Sequence, residues 1–318
     1  MRTKRLILAL AVVAGLAPSL WVRTDLPAPN LSPFATISAL PAANAAAGPF
    51  SLAGAWEITG TSKFFGGFSA LLALSDDRML AATDGGYKLV FIRPDRVGQP
   101  PLFSRFGAEY DGDKMAYDLE SLAHDPQNDL IWGGYEGSNA IRRFGADLLP
   151  QGFRPISEMS DWGANSGAEA LVRLPDGRFL AIEESAAGWA GSHRALLFAG
   201  DPLLSPSPAQ LVIEIPNGYR PVDMALGDNG RVLVLLRRLV ISIPPRFDTA
   251  IASLEIADMK PRAAINAELL AGLGGAFPSD NFEGMTVTDD GDGTHIWLVS
   301  DDNFMSYQRT LLLKLRWN

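Results

Sequence analysis

The stretch Ala168-Glu-Ala-Leu-Val-Arg-Leu-Pro-Asp-Gly-Arg-Phe-Leu-Ala-Ile182 contains the unit from which the fold can be predicted. Two apolar runs flank the polar tetrapeptide Pro175-Asp-Gly-Arg178. Asp-Gly tolerates the positive φ angles that tight hairpin turns need, and apolar runs of this length are typical of buried strands. The stretch therefore predicts an antiparallel β-hairpin.

The same unit recurs along the chain. Its first strands begin with Phe68-Ser-Ala-Leu71, Leu119-Glu-Ser-Leu122, Ala168-Glu-Ala-Leu171, Val222-Asp-Met-Ala225 and Phe282-Glu-Gly-Met285. The starts are 49 to 60 residues apart, which is the spacing of β-propeller blades. A β-sandwich is the alternative, but sandwiches do not repeat one tetrapeptide at near-constant spacing. The pattern predicts an all-β propeller with five blades, and a sixth is possible within residues 239–280.

A strand near the amino end is expected to close the ring. The last repeat supplies only three strands, of which the third is Thr310–Arg316. The run Ser51–Thr59 has strand character and offers a fourth. Pairing the first strand with the last blade would cover edges that otherwise invite aggregation.

The amino end is typical of an exported protein. Residues 1–22 combine basic residues with an apolar run and predict a signal peptide or an uncleaved anchor. Residues 23–49, rich in Ala and Pro, are expected to be a linker, and residues 50–318 the propeller domain. These features predict a periplasmic or extracellular protein that contacts a membrane only through its N-terminal segment.

Composition excludes several functions. The net charge of −9 disfavours nucleic-acid binding, because phosphate contacts need a basic surface. The absence of Cys excludes thiol nucleophiles, Cys-ligated zinc and disulfides. Cations and small molecules are the more natural partners of so acidic a chain.

Acidic residues recur in register with the repeat. The second position of the tetrapeptide holds Ser69, Glu120, Glu169, Asp223 and Glu283. Further polar residues recur 15 to 19 positions later, namely Asp84, Glu136, Glu184, Arg238 and Asp302. Equivalent positions of propeller blades circle the central axis, so both sets are expected at one mouth of the channel. Strand-end carboxylates can also simply hold blades together, and this structural alternative stays open.

The functional reading of this ring is metal-assisted hydrolysis. We expect catalytic roles for Glu120, Glu169, Glu283 and Arg238, with Arg237 as an alternative to Arg238. The expected metal ligands are Asp84, Glu136, Glu184, Asp223 and Asp302. Carboxylates are hard oxygen donors, so Ca²⁺ or another divalent cation is the expected cofactor, with an ester or phosphoester as substrate. The alternative is a non-catalytic propeller that binds a ligand or an envelope partner.

Three motifs resemble the phytase-like family, whose members are described as having esterase-like activity of phytase. They are Phe282-Glu-Gly-Met285 with Leu298-Val-Ser-Asp-Asp-Asn303, Gly67-Phe-Ser-Ala-Leu71 with Thr83-Asp-Gly-Gly86, and Gly167-Ala-Glu-Ala-Leu171 with Ile182-Glu-Glu184. The resemblance covers roughly residues 50–318 and implies an exported bacterial β-propeller that hydrolyses phosphomonoesters or carboxylic esters. The adjacent basic pairs of this region are Arg142-Arg143 and Arg237-Arg238, too few to hold a polyphosphorylated inositol.

Overall fold

The computed structural model shows a ring of five antiparallel β-sheets. It describes residue 7 and residues 30–318, apart from 42–43, 108–117, 164–166, 187–190, 217 and 229. No helix in this described part is long and apolar enough to cross a membrane. The described part also contains 3₁₀ turns at Ser157–Met159 and Ile256–Asp258.

Each sheet is one blade, and the blades follow one another along the chain. Blade 1 contains β4 (Phe68–Ala73), β5 (Arg78–Thr83), β6 (Tyr87–Ile92) and β7 (Leu102–Arg105). Blade 2 contains β8 (Leu119–Asp125), β9 (Leu130–Tyr135), β10 (Ala140–Phe144) and β11 (Pro150–Pro155). Blade 3 contains β12 (Ala168–Arg173), β13 (Phe179–Ala186), β14 (Ser192–Phe198), β15 (Ala209–Glu214) and β19 (Ala264–Asn266).

The last two blades complete the ring. Blade 4 contains β16 (Arg220–Leu226), β17 (Arg231–Val240), β18 (Arg246–Glu255) and β20 (Glu268–Leu273). Blade 5 contains β21 (Asn281–Asp289), β22 (Thr294–Asp301) and β23 (Leu311–Trp317), joined by β1 (Ala35–Ala39), β2 (Ala46–Ala47) and β3 (Phe50–Gly60). The predicted five-bladed propeller is confirmed.

The amino-terminal strand closes the ring as predicted. β3 pairs antiparallel with β23, and Trp56 lies opposite Leu312. A cluster of buried side chains then joins blade 5 to blade 1, with Trp297 and Leu312 packed against Phe68 and Met79. Closure therefore pairs the inner edge of β3 with β23 and buries the apolar faces of both blades.

The region considered for a sixth blade instead extends two others. β18 and β20 are the outer strands of blade 4, and β19 adds to blade 3 in parallel with β15. Within the predicted linker, β1 and β2 pair with β3, because the backbone edge of β3 was still available for hydrogen bonds.

The core lies between blades. Five clusters of buried apolar side chains occupy the five interfaces between neighbouring blades. Inner and middle strands are thus covered on both faces, which explains runs such as Val232–Leu236 in which every residue is buried.

The two ends of the ring differ. Each first strand leads through a tight turn into the second, and these turns use positive φ at Asp76, Asp77, Asp129, Gly177, Gly230 and Gly291. We call this end the hairpin side. At the opposite end, the mouth side, each first strand begins and each second strand ends.

Candidate functional site

A β-bulge interrupts the first strand of every blade near the mouth. The residues passed over in the pairing register are Ser69, Glu120, Glu169, Val222 and Glu283. A bulge adds one unpaired residue and turns its side chain away from the regular alternation. The bulges present Glu120, Glu169 and Glu283 together at the mouth, although each of these residues lies in an otherwise apolar strand.

Blade 4 departs from the register predicted from sequence. The bulged residue there is Val222, so Asp223 lies one position further along the strand. Asp223 is buried and accepts hydrogen bonds from the backbone N–H groups of Met224 (2.8 Å) and Met285 (2.6 Å). Burial raises its pKa well above the usual range. Asp223 therefore connects blades 4 and 5. Although we expected it to be a metal ligand, the structure does not place it with the other mouth carboxylates.

The same one-residue shift moves the second set in blades 4 and 5. Counted from the bulges, the equivalent strand-end residues are Asp84, Glu136, Glu184, Arg237 and Asp301. Arg238 instead pairs with Asp248 at 2.6 Å and lies over the ring of Tyr219. The structure therefore places Arg237, not Arg238, among the mouth carboxylates.

The mouth contains a third set of residues that we did not predict from the sequence. It lies two residues before each bulge and comprises Gly67, Asp118, Gly167, Arg220 and Asn281. Side chains two apart in a strand share a face, so an i−2 search from each acid would have found Asp118 and Asn281.

Arg237 lies between two glutamates. It donates to Glu184 at 2.9 Å and to Asn281 at 3.1 Å, and it also donates to Glu283. Asn281 in turn donates to Glu283 at 2.6 Å, and Arg220 donates to Glu184 at 3.2 Å. Burial and the neighbouring carboxylates act in opposite directions on Arg237, and the net effect raises its pKa. This side of the mouth is neutralised by protein cations.

The other side of the mouth is carboxylate-rich. One oxygen from each of Asp118, Glu120 and Glu136 lies within 4.8 Å of the others, close enough to share one cation. Burial raises the pKa of Glu120 well above its usual range, and the neighbouring acids, Glu169 first, raise it further. Glu169, itself buried, is hydrogen-bonded to Glu136. Burial and the charges of Glu184 and Glu136 raise the pKa of Glu169 well above its usual range.

Two glycines admit the carboxylates of blades 1 and 5. A Cβ atom on Gly67 would lie 2.4 Å from Asp84 Oδ1, and one on Gly66 would lie 2.5 Å from Asp302 Oδ1. Asp302 accepts the N–H of Phe304 at 3.1 Å, which caps its own loop. Beside it, burial and Glu283 raise the pKa of Asp301 to about 8. Asp301, and not Asp302, is therefore the residue of this loop that interacts with the mouth carboxylate Glu283.

A second group of possible ligands lies on the hairpin side. One ligand atom from each of Asp290, Asp292 and His295 lies within 4.8 Å of the others. Asp290 already accepts hydrogen bonds from Arg93 and from Lys314 (2.6 Å), which hold its pKa at about 2 despite its burial. Protein cations thus occupy the position that a metal ion would take.

Comparison with known families identifies the relationship. A family model for phytase-like proteins, described as esterase-like activity of phytase, matches residues 63–304. The matched stretch contains every mouth residue described above. No curated protein sequence matches the chain.

Solved structures share the architecture at low sequence identity. The luciferin-regenerating enzyme is 11% identical with a TM-score of 0.45, over 82% of this chain and 80% of that one. The hydrazine synthase of Kuenenia stuttgartiensis is 12% identical with a TM-score of 0.40, over 81% of this chain. The chain spans 64% of the length of that synthase chain. The WD40 propeller domain of Doa1 is 10% identical with a TM-score of 0.41, over 85% and 97%.

Proposed function

The chain belongs to the phytase-like family, and from this premise we propose that it is an exported hydrolase of ester bonds that works at the acidic mouth. The observation that carries the proposal is the group formed by Asp118, Glu120 and Glu136 with Glu169 bonded to it. On the other side of the mouth, Glu184 and Glu283 are paired with arginines, and Asp301 and Asp302 accept backbone N–H groups.

The donor set fits a hard divalent cation. Asp118, Glu120 and Glu136 offer carboxylate oxygens alone, which suits Ca²⁺ better than softer metals. These three residues would hold the ion, and Glu120 moves from the expected catalytic group to the ligands. When bound, such an ion polarises an ester or phosphoryl oxygen and lowers the pKa of water.

Glu169 and Glu283 are proposed to move the protons. Glu169 is buried and hydrogen-bonded to Glu136, so it can keep a proton and donate it to the leaving alcohol. Glu283 accepts hydrogen bonds from Arg237 and Asn281, and its proposed role is to accept a proton from the attacking water. Burial raises the pKa of Glu283 although Arg237 and Asn281 act against it, and a raised pKa suits a general base. Arg237 positions Glu283 and is not proposed as a clamp for the oxyanion.

Electrostatics narrows the substrate class. Arg237 and Arg220 are each paired with mouth carboxylates. Among the mouth residues that the structure describes, a substrate carrying several phosphates would meet carboxylates and arginines that are already paired. A carboxylic ester, or a phosphomonoester of low charge, fits this mouth better than a polyphosphorylated inositol.

The proposal is tested by coupling metal binding to a mouth mutation. Ca²⁺ at 100 times its dissociation constant should stabilise the wild type by about 2.7 kcal/mol. Glu120→Gln should lower this Ca²⁺-dependent shift in melting temperature, because it removes a charged ligand and keeps the shape. Glu283→Gln should destabilise equally with Ca²⁺ and with chelator, because it weakens the contacts with Arg237 and Asn281 and removes no proposed ligand. Glu268→Gln, at an exposed site, is the matched control.

Hydrolysis is measured on the same variants with p-nitrophenyl acetate and p-nitrophenyl phosphate. Glu169→Gln should lower kcat by about 10²-fold or more, the usual contribution of a general acid. Equal turnover with Ca²⁺ and with chelator would contradict metal assistance. Ca²⁺ coupling without turnover of either ester would instead favour a ligand-binding propeller.

A further inference from the structure

The hairpin between β17 and β18 extends beyond the mouth. Both strands have ten residues, whereas the second strands of the other blades have six or eight. The connection, residues 241–245, reads Ile-Ser-Ile-Pro-Pro. Ile241 is 96% exposed and Ile243 is 103% exposed, and Leu239 is exposed as well. We call residues 239–245 the hairpin tip.

Exposed aliphatic side chains at this density indicate a contact surface. An exposed isoleucine forgoes the free energy that its burial would supply, and adjacent exposed apolar residues mark binding sites. No acid lies between Leu239 and Arg246, although the chain as a whole is acidic. The tip is therefore apolar, and the strands below it carry Arg246 and the Arg238–Asp248 ion pair.

A second apolar loop lies on the same side in the next blade. The connection between β22 and β23 exposes Phe304, Met305 and Tyr307. The two loops are linked through the segment before β21. Ser279 donates to the carbonyl of Phe247 at 3.4 Å, and Asp280 accepts the N–H of Arg309 at 3.0 Å.

The amino-terminal side of the chain approaches the same end. The carbonyl of Asn30 accepts a hydrogen bond from the N–H of Lys63 at 2.9 Å, in the loop that leads into β4 at the mouth. The seven residues 23–29 can span at most about 25 Å. The described chain therefore begins on the mouth side at Asn30, a few residues after the apolar run that we predict as signal peptide or anchor.

We propose that the hairpin tip and the loop of residues 303–308 form a docking surface for a lipid bilayer. Aliphatic residues at a tip with aromatic residues at its flank match the layering of a membrane interface. The apolar side chains of Ile241, Ile243 and the two prolines would lie among lipid acyl chains, and a second copy of the protein is the alternative occupant that the test below separates. The surface is independent of the proposed hydrolysis, and its test reads binding alone.

The test uses the full chain, which contains no Cys and so accepts one labelled Cys at a chosen position. Ile241→Cys carries an environment-sensitive dye at the tip. Val97→Cys is the matched control, since Val97 is 103% exposed in the connection between β6 and β7 on the hairpin side. With phosphatidylcholine vesicles the dye at position 241 should shift to the blue, and the dye at position 97 should not.

A second substitution tests whether the tip supplies the affinity. Ile243→Ser in the Ile241→Cys protein should raise the vesicle concentration for half-maximal change about tenfold, because one aliphatic side chain is lost from the contact. Leu204→Ser, at an exposed residue on the hairpin side, should leave it unchanged. Equal spectra at positions 241 and 97 with vesicles would overturn the proposal. A blue shift that follows protein concentration without lipid would also overturn it, because the occupant would then be a second copy.

Discussion

Arg237 and Arg238 are adjacent in sequence and have different environments because side chains alternate along a strand. Arg237 contacts Glu184 and Glu283 within the mouth. Arg238 is 42% exposed and pairs with Asp248, which is also partly exposed. The two neighbours therefore form a natural comparison between a buried and a surface ion pair.

Arg237→Met should destabilise the protein by about 3–5 kcal/mol, because it leaves Glu283 in the mouth without its cation and Glu184 with Arg220 alone. Arg238→Met should change the free energy of unfolding by about 0–1 kcal/mol. Urea denaturation of both variants at neutral pH measures the difference. Equal losses would show that Arg237 does not hold the mouth together.

At the scale of single elements, the bulge and the glycine loop before it build the mouth. Gly67 adopts φ +69° two residues before the bulge of β4, and its missing Cβ makes room for Asp84. Gly177 adopts φ +89° in the turn between β12 and β13, with no atom near its missing Cβ. Alanine substitutions at Gly67 and Gly177 therefore separate the free-energy cost of backbone strain from that of a steric clash.

Gly177→Ala should cost about 1–2 kcal/mol, which is the penalty of a left-handed conformation for a residue with Cβ. Gly67→Ala should cost more, by about 1–3 kcal/mol, because Cβ would also collide with the Asp84 carboxylate. It should also weaken the Ca²⁺-dependent thermal shift if the loop positions the mouth acids. Thermal unfolding with and without Ca²⁺ measures both effects, and identical costs at the two glycines would refute the steric argument.

At the scale of the whole molecule, the seam between blades 5 and 1 carries an ion-pair network. Asp290 from blade 5 is contacted by Arg93 from blade 1 and by Lys314 from β23. These cations lower its pKa from 3.8 to about 2. A carboxyl with a lowered pKa stabilises the fold above its unfolded pKa, and that contribution disappears as pH falls from about 4 to about 2.

Asp290→Asn should therefore lose about 2 kcal/mol at pH 7, and the gap to wild type should narrow below about pH 4 and close only near pH 2. Asp292→Asn, at an exposed neighbour, should lose little at either pH. Denaturation curves at pH 7, 4, 3 and 2 follow the gap. A gap that does not change with pH would mean that Asp290 acts through packing and not through its charge.

Closure by β3 should determine whether the ring unfolds as one unit. A chain that begins at residue 62 lacks β1, β2 and β3 and leaves the edge of β23 unpaired. We expect this chain to lose the cooperative thermal transition and to aggregate. A chain that begins at residue 30 keeps all three strands and should retain the transition. Calorimetry of the two chains would contradict the closure argument if both unfold alike.

The repeat and the closing strand were predictable because they depend on local chemistry. Apolar runs, Asp-Gly turns and a spare strand at Ser51–Thr59 are read directly from neighbouring residues. Five mouth glutamates could also be predicted, because they lie at a nearly fixed number of residues from each turn and therefore at the same end of each blade. They are Glu120, Glu136, Glu169, Glu184 and Glu283.

The registry of blade 4 could be decided only by the tertiary structure. Comparison of the repeats predicted that Asp223 occupies the ring position in blade 4, but the bulge falls on Val222. The backbone amide of Met285, 62 residues away, binds Asp223 and holds it outside the ring. Likewise only the structure shows that Asp118, two residues before Glu120, lies close to both Glu120 and Glu136. A sequence states which side chains are available, whereas a one-residue bulge, stabilised by contacts between blades, decides which of them face the channel.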